Sequence, residues 1–293
     1  MMGLHAPRWF GVINYMLLTL FALVTLLPFL YVLLVSFTDA HEYATSRLVI
    51  IPREWSLDAY RYILSTRMFM RSIGVSGLLA VVGSAVSLLV SSSLAYALSR
   101  KRMSGRRIAL AAILFTMMFN PGMIPNFLLV KQLGMMNTLW ALILPQLTSA
   151  WYIILMRGFL QTVPDELEEA GRIDGCSDFR IFFRIYLPIA LPSMAAFALF
   201  YAVQYWNTYF AGVLYISSES LRPMQVVLQM MLINSSTNVA DPSVAAALQS
   251  EQQLPPETIK MAAIVVSSIP ILLVYPFMQK YFVSGMTVGS VKG

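Results

Sequence analysis

The sequence predicts an all-α, polytopic membrane protein with six transmembrane helices. Of its 293 residues 58% are hydrophobic and only 12% charged, with a mean hydropathy of +0.70. A soluble globular chain is about a quarter charged, so most of this surface must face lipid rather than water. Cutting the chain at every charged residue leaves six long uncharged runs: Trp9 to Thr38, Ser72 to Ser99, Ile108 to Val130, Gln132 to Met156, Ile185 to Ser218 and Met261 to Gln279. About 20 apolar residues suffice to cross the hydrocarbon core, because an α-helix satisfies its own backbone polar groups.

Taken in order, the expected spans are 10–37, 72–99, 108–130, 138–156, 188–216 and 259–282, within one domain covering 1–293. The first follows Arg8 but is twice as long as a signal core and lacks a small-residue cleavage site, so it reads as a retained span. The third contains Asn120-Pro-Gly-Met-Ile-Pro125; proline removes a donor and clashes with the preceding turn, so this span is expected to break before it reaches the outer surface. Further prolines at 145, 188, 192, 270 and 276 mark kinks in the later spans. A seventh uncharged stretch, Pro223 to Ala240, has Gln225 and Gln229 in a short apolar centre and reads as an amphipathic surface helix followed by a loop.

Orientation follows from Lys and Arg beside the spans. Twelve of the 20 basic residues fall on one side, and the turn Arg100 to Arg107 carries five positive and no negative residues. That turn places both termini in the cytoplasm. Its charge is what topology demands there and is no sign of nucleic-acid binding. The single cysteine, Cys176, excludes an internal disulfide framework and a thiolate metal cluster.

The six uncharged runs hold no Asp, Glu, Lys, Arg or His, although proton-coupled carriers place such groups at mid-membrane. There is no phosphate-cradling G-x-x-x-x-G-K-[ST] sequence, and His5 and His41 lie at the amino terminus and in an outer loop. No nucleophile with a base is available at depth. Catalytic and metal-ligating residues are therefore expected to be absent, and uphill movement would draw its energy from another subunit. A secondary carrier or channel working without such a subunit is the alternative.

The inner segment Arg157 to Arg184 departs from its basic surroundings, with four basic and six acidic residues. Pro164, Asp165 and Glu166 suit the start of a helix and Gly175 suits its left-handed stop. Ser177 suits the cap of a second helix. Leu167, Ala170, Gly171 and Asp174 share a face of the first helix, and Phe179, Phe182, Phe183 and Tyr186 share a face of the second. Such a hairpin either receives a partner protein or lies on the membrane with its phenylalanines in lipid.

Glu169-Ala170-Gly171, three residues, Gly175, nine residues and Ile185-Tyr186-Leu187-Pro188 resemble the coupling-loop signature E-A-A-x3-G-x9-I-x-L-P of permease subunits of ATP-binding-cassette importers. Gly171 stands where alanine is usual. Gly134-Met-Met-Asn-Thr138, Trp206-Asn207 and the carboxyl-terminal stretch from Lys280 are similar to the carbohydrate-importing, maltose-type and lipoprotein-like branch. The resemblance implies a type I, MetI-like permease fold with a cytoplasmic coupling helix in the loop 157–187. It implies a second, related permease, two cytoplasmic ATPase subunits that hold ATP and Mg, an external solute-binding protein and a carbohydrate substrate. The coupling set it implies is Glu168, Glu169, Ala170, Gly171, Asp174, Gly175, Phe179, Phe182, Leu187 and Pro188.

In the fifth span, Tyr201, Gln204, Tyr205, Trp206, Asn207 and Tyr209 combine aromatic faces with amides, the groups that bind sugar rings and hydroxyls, and they are expected to line the pathway. An aromatic belt with a buried structural amide is the alternative. Arg47, Arg53, Arg61, Arg67 and Arg71 in the outer loop 39–71 suit either an acidic saccharide such as an alginate fragment or an ordinary surface.

Overall fold

The computed structural model describes residues 8–45, 49–119, 121–234 and 256–290. The described residues are almost wholly helical, and the β contact among them is an isolated bridge between Thr38 and Trp55. Two compact units are distinguished: Met1–Arg67 with Met230–Ser268, and Met68–Gln229 with Ile269–Gly293.

In the first unit the opening run forms one helix, Arg8–Ser36. Its large apolar side chains, from Trp9 through Phe29, are largely exposed, as a helix solvated by lipid requires. The chain that follows is a tied strap rather than a plain loop. Ser36 and Tyr60 share a hydroxyl–hydroxyl bond of 2.6 Å, and the Phe37 and Tyr60 rings lie 4.8 Å apart. The Glu42 carboxylate accepts the backbone N–H groups of Arg53 and Glu54 at 2.9 to 3.1 Å. Arg61 pairs with Asp58 at 3.4 Å on an exposed face, where such pairs contribute little. Burial raises the Tyr60 pKa above its usual value, against the opposing hydrogen bond with Ser36.

The second unit is built on the helix Arg67–Ser99, interrupted by a π-helical turn at Leu79–Gly83. It runs antiparallel to Leu191–Trp206, and two matched pairs fix the register: Ser91 with Tyr201 at 2.7 Å and Ser87 with Tyr205 at 2.8 Å. A side chain at Gly83 would stand 2.8 Å from the Tyr205 ring, so only glycine allows this approach. The Tyr205 hydroxyl also donates to the Ile143 carbonyl at 3.1 Å. That carbonyl lies where the helix Trp140–Ile143 tightens into the turn Leu144–Gln146 at Pro145.

The expected spans are more interrupted than their charge-free lengths suggest. The third is two helices, Arg106–Met118 and Met123–Gln132, broken at the proline-rich stretch; Asn120 lies outside the described residues. The fourth is reduced to Trp140–Ile143, a short turn and the helix Ala150–Leu160. The fifth bends by 87° between Asp178–Ile189 and Leu191–Trp206, then unwinds at Asn207 before Phe210–Tyr215. By length and composition alone, three described helices are able to cross a bilayer, or five if each of two bent pairs counts as one.

The Met224–Asn234 helix does not lie free on the surface as expected. Met224, Val226, Val227 and Met231 are buried, and Ser76 Oγ accepts the Met224 N–H at 2.8 Å. Two spaced glutamines gave it an amphipathic look, but one of them, Gln225, donates to Asn207 at 3.2 Å. The expected loop that follows it lies outside the described residues.

Candidate functional site

The acidic inner segment forms the expected hairpin. Its first helix is Asp165–Ile173, entered through Pro164, with Asp165, Glu166 and Glu168 in the first turn where the helix dipole favours negative charge. It stops through two reversed backbone bonds, Gly175 N–H to the Arg172 carbonyl and Cys176 N–H to the Gly171 carbonyl, both at 2.9 Å. Gly175 has φ +75°, the left-handed conformation that this stop requires. Ser177 Oγ then accepts the Arg180 N–H and caps the second helix.

The two faces of the hairpin have different contents. Inward lie Glu168, Gly171, Ile181, Phe182 and Tyr186, all buried. A side chain at Gly171 would meet Ile185 Cδ1 at 3.0 Å and Ile181 Cγ1 at 3.4 Å, so the small residue sets how closely the two helices approach. Phe182 packs on Tyr96, with centroids 5.1 Å apart. Outward lie Glu169, Ala170, Asp174 and Pro188, together with Ile173, 87% exposed, and Phe179, 74% exposed; Leu187 is half-buried. Glu169 has no ion-pair partner among the described residues.

Part of the expected coupling set lies on the inner face. Glu168, Gly171 and Phe182 do not face outward. Glu168 is bonded to Arg100, which also bonds the Tyr186 hydroxyl, and Arg172 adds a second contact to the same carboxylate at 3.0 Å. Arg102 stands 3.3 Å from Glu168 and joins Arg172 in pairing with Asp178. Arg100 is 7% exposed and Glu168 8%, and the Arg100 guanidinium sits 4.3 Å over the Tyr186 ring and 5.3 Å from that of Tyr96. Burial by itself would lower the Arg100 pKa, but the hydrogen bond to Glu168, reinforced by its charge and by Tyr186, outweighs burial and raises it. The resemblance grouped Glu168 with its neighbours because a motif reports position along the chain, not which neighbour covers a face.

The expected pathway residues divide likewise. Tyr201 and Tyr205 are fully buried, with their hydroxyls committed to Ser91 and to Ser87 and Ile143, so they join helices and do not line an open path. Trp206 is buried too, along an apolar cavity of about 200 Å³ that includes Gly77, Ala80 and Ala202. Gln204 remains half-exposed and donates to Gln146 at 3.2 Å. Asn207 and Tyr209 are exposed. The accessible amides here thus form two pairs, Gln146 with Gln204 and Asn207 with Gln225. Sequence reasoning missed Gln146, Ser87 and Ser91, although two serines four apart facing two tyrosines four apart was a readable signal.

Residues 87–288 match the family described as the binding-protein-dependent transport system inner membrane component. The chain belongs to this family. This inner membrane component is 46% identical over 286 residues to the polygalacturonan/rhamnogalacturonan transport system permease protein YtcP of Bacillus subtilis, covering 98% of this chain and 99% of that one. It is 44% identical over 289 residues to protein LplC of the same organism, covering 98% and 96%. Among solved structures it is similar to a bacterial ABC transporter involved in the import of the acidic polysaccharide alginate, with a TM-score of 0.86, 34% identity and coverage of 96% of this chain and 99% of that one. An inner membrane component of a binding-protein-dependent system is one subunit of a larger machine, which sets aside the carrier or channel working alone.

Proposed function

We propose that this permease moves carbohydrate across the cytoplasmic membrane by alternating access, driven by ATP that two cytoplasmic ATPase subunits bind with Mg and hydrolyse. A second, related permease completes the pathway, and an external solute-binding protein delivers the substrate. Both termini lie in the cytoplasm, with the six spans near 10–37, 72–99, 108–130, 138–156, 188–216 and 259–282. The observation that carries this reading is the outward face of the hairpin at 157–187. Ile173 and Phe179 are large apolar side chains left exposed beside Glu169, Ala170 and Asp174, on a hairpin whose other face is tied down. Exposed aromatic and aliphatic anchors beside unpaired charge suit a protein partner better than lipid.

The substrate class follows from the relatives, which carry polygalacturonan, rhamnogalacturonan and alginate in their names. An acidic oligosaccharide is the proposed cargo. The amides of Gln204 and Asn207 with the Tyr209 ring are its proposed contacts, since neutral donors hold carboxylates and hydroxyls without placing a charge in the membrane.

The test is ATP hydrolysis by the reconstituted complex across a panel of loaded binding proteins. Stimulation by binding protein carrying uronate oligomers, lost in Gly175→Val because valine resists a φ of +75°, is the expected result. Equal stimulation in that variant removes the hairpin from coupling. Stimulation only by neutral sugars removes the acidic substrate.

A further inference from the structure

A partner pushing on the hairpin moves the spans only if the hairpin is rigidly joined to them. Most of its inner face is apolar and contacts of that kind slide, because dispersion has no direction. The Glu168 carboxylate is different. It receives Arg100, the residue directly past the Arg67–Ser99 helix, and Arg100 also holds the hydroxyl of Tyr186 at the far end of the hairpin. Three segments distant in sequence therefore meet at one buried ion pair. The same helix end is tied elsewhere too: the Leu98 carbonyl accepts Arg106 Nε at 2.9 Å and Arg157 Nε at 3.1 Å.

We propose that Arg100, Glu168 and Tyr186 are positioning residues that make the hairpin and the second span move as one body. The idea rests on the docking reading above and names what transmits the push. A buried ion pair is a poor source of stability, since well-packed apolar residues of similar volume do as well or better. What it adds is one geometry. Charge-assisted hydrogen bonds are short and directional, and a ring hydroxyl bonded to the same guanidinium admits no sliding.

Uptake and ATP hydrolysis are measured together in proteoliposomes holding the whole complex, and uptake per ATP is taken per assembled complex. A merely structural role lowers the amount of complex and leaves this ratio alone. Glu168→Gln keeps the volume and loses the charge; the ratio is expected to fall about tenfold, the effect of one lost hydrogen bond to a charged group. Tyr186→Phe removes one hydroxyl and should fall in the same direction by less, and it carries the test if Glu168→Gln does not assemble. Tyr96→Phe is the control: its hydroxyl is buried without a partner, so its removal should leave the ratio unchanged. An unchanged ratio in Tyr186→Phe and in any assembled Glu168→Gln complex overturns the proposal, as does a loss in Tyr96→Phe as large as in Tyr186→Phe. If the wild-type complex shows no stimulation by loaded binding protein, the docking reading fails as well; coupled wild type beside fully coupled variants sinks the positioning role alone.

Discussion

The second span is held to its neighbours by two polar seams of opposite kinds. Along its length it meets Leu191–Trp206 through neutral hydroxyls, Ser87 with Tyr205 and Ser91 with Tyr201. At its end it meets the hairpin through charge, Arg100 with Glu168. Depth separates them. An ion in hydrocarbon is strongly unfavourable, whereas a hydroxyl pair adds modest attraction between helices without a large desolvation penalty. At the membrane edge, partial hydration lowers the penalty for charge and the same span end can hold an ion pair. The seam inside the membrane therefore fixes the register with neutral groups, while the seam at the edge fixes the hairpin with charge.

Breaking the charged seam should have the larger effect. Glu168→Ala leaves the Arg100 guanidinium buried without its carboxylate, which is expected to destabilise the solubilised protein by about 3 kcal/mol or more, read as a fall in thermal midpoint. A loss under about 1 kcal/mol would mean that water reaches the guanidinium in place of the carboxylate. Next comes the neutral seam at its tightest point. Gly83→Ala forces a methyl against the Tyr205 ring, which cannot swing aside as a flexible side chain would, and about 1 to 3 kcal/mol of overpacking is expected. Tyr205→Phe, which empties only the bonds to Ser87 and the Ile143 carbonyl, should lose about 1 kcal/mol. The smallest effect belongs to Gly171→Ala. Its new methyl meets the movable end of Ile185, and the gain in helix propensity of up to about 1 kcal/mol offsets the crowding, so the thermal midpoint should stay nearly level. A large drop there would show that the approach of the two hairpin helices is more tightly set than the Ile185 side chain allows.

Much of this was legible along the chain. The uncharged runs located the apolar helices, Asn120 to Pro125 marked the break in the third, and Gly175 and Ser177 marked the hairpin turn, because each of these depends on a residue and its immediate neighbours. The faces were not legible. Leu167, Ala170, Gly171 and Asp174 were grouped by spacing, yet Gly171 turned inward with Glu168 while Ala170 and Asp174 stayed exposed. In the fifth span, tyrosines four apart suggested a lining and proved to be a seam.

Sequence alone determined that this chain is a helical membrane protein with an acidic hairpin between basic segments, since hydropathy, charge placement and turn chemistry are local properties that lipid and water read residue by residue. Tertiary structure decided which side of each helix is covered. Arg100 and Glu168 are 68 residues apart, and no periodicity within either helix encodes the other. Whether a polar side chain is a free contact for a partner or the anchor of the fold depends on what stands opposite it, and that is settled only when the helices meet.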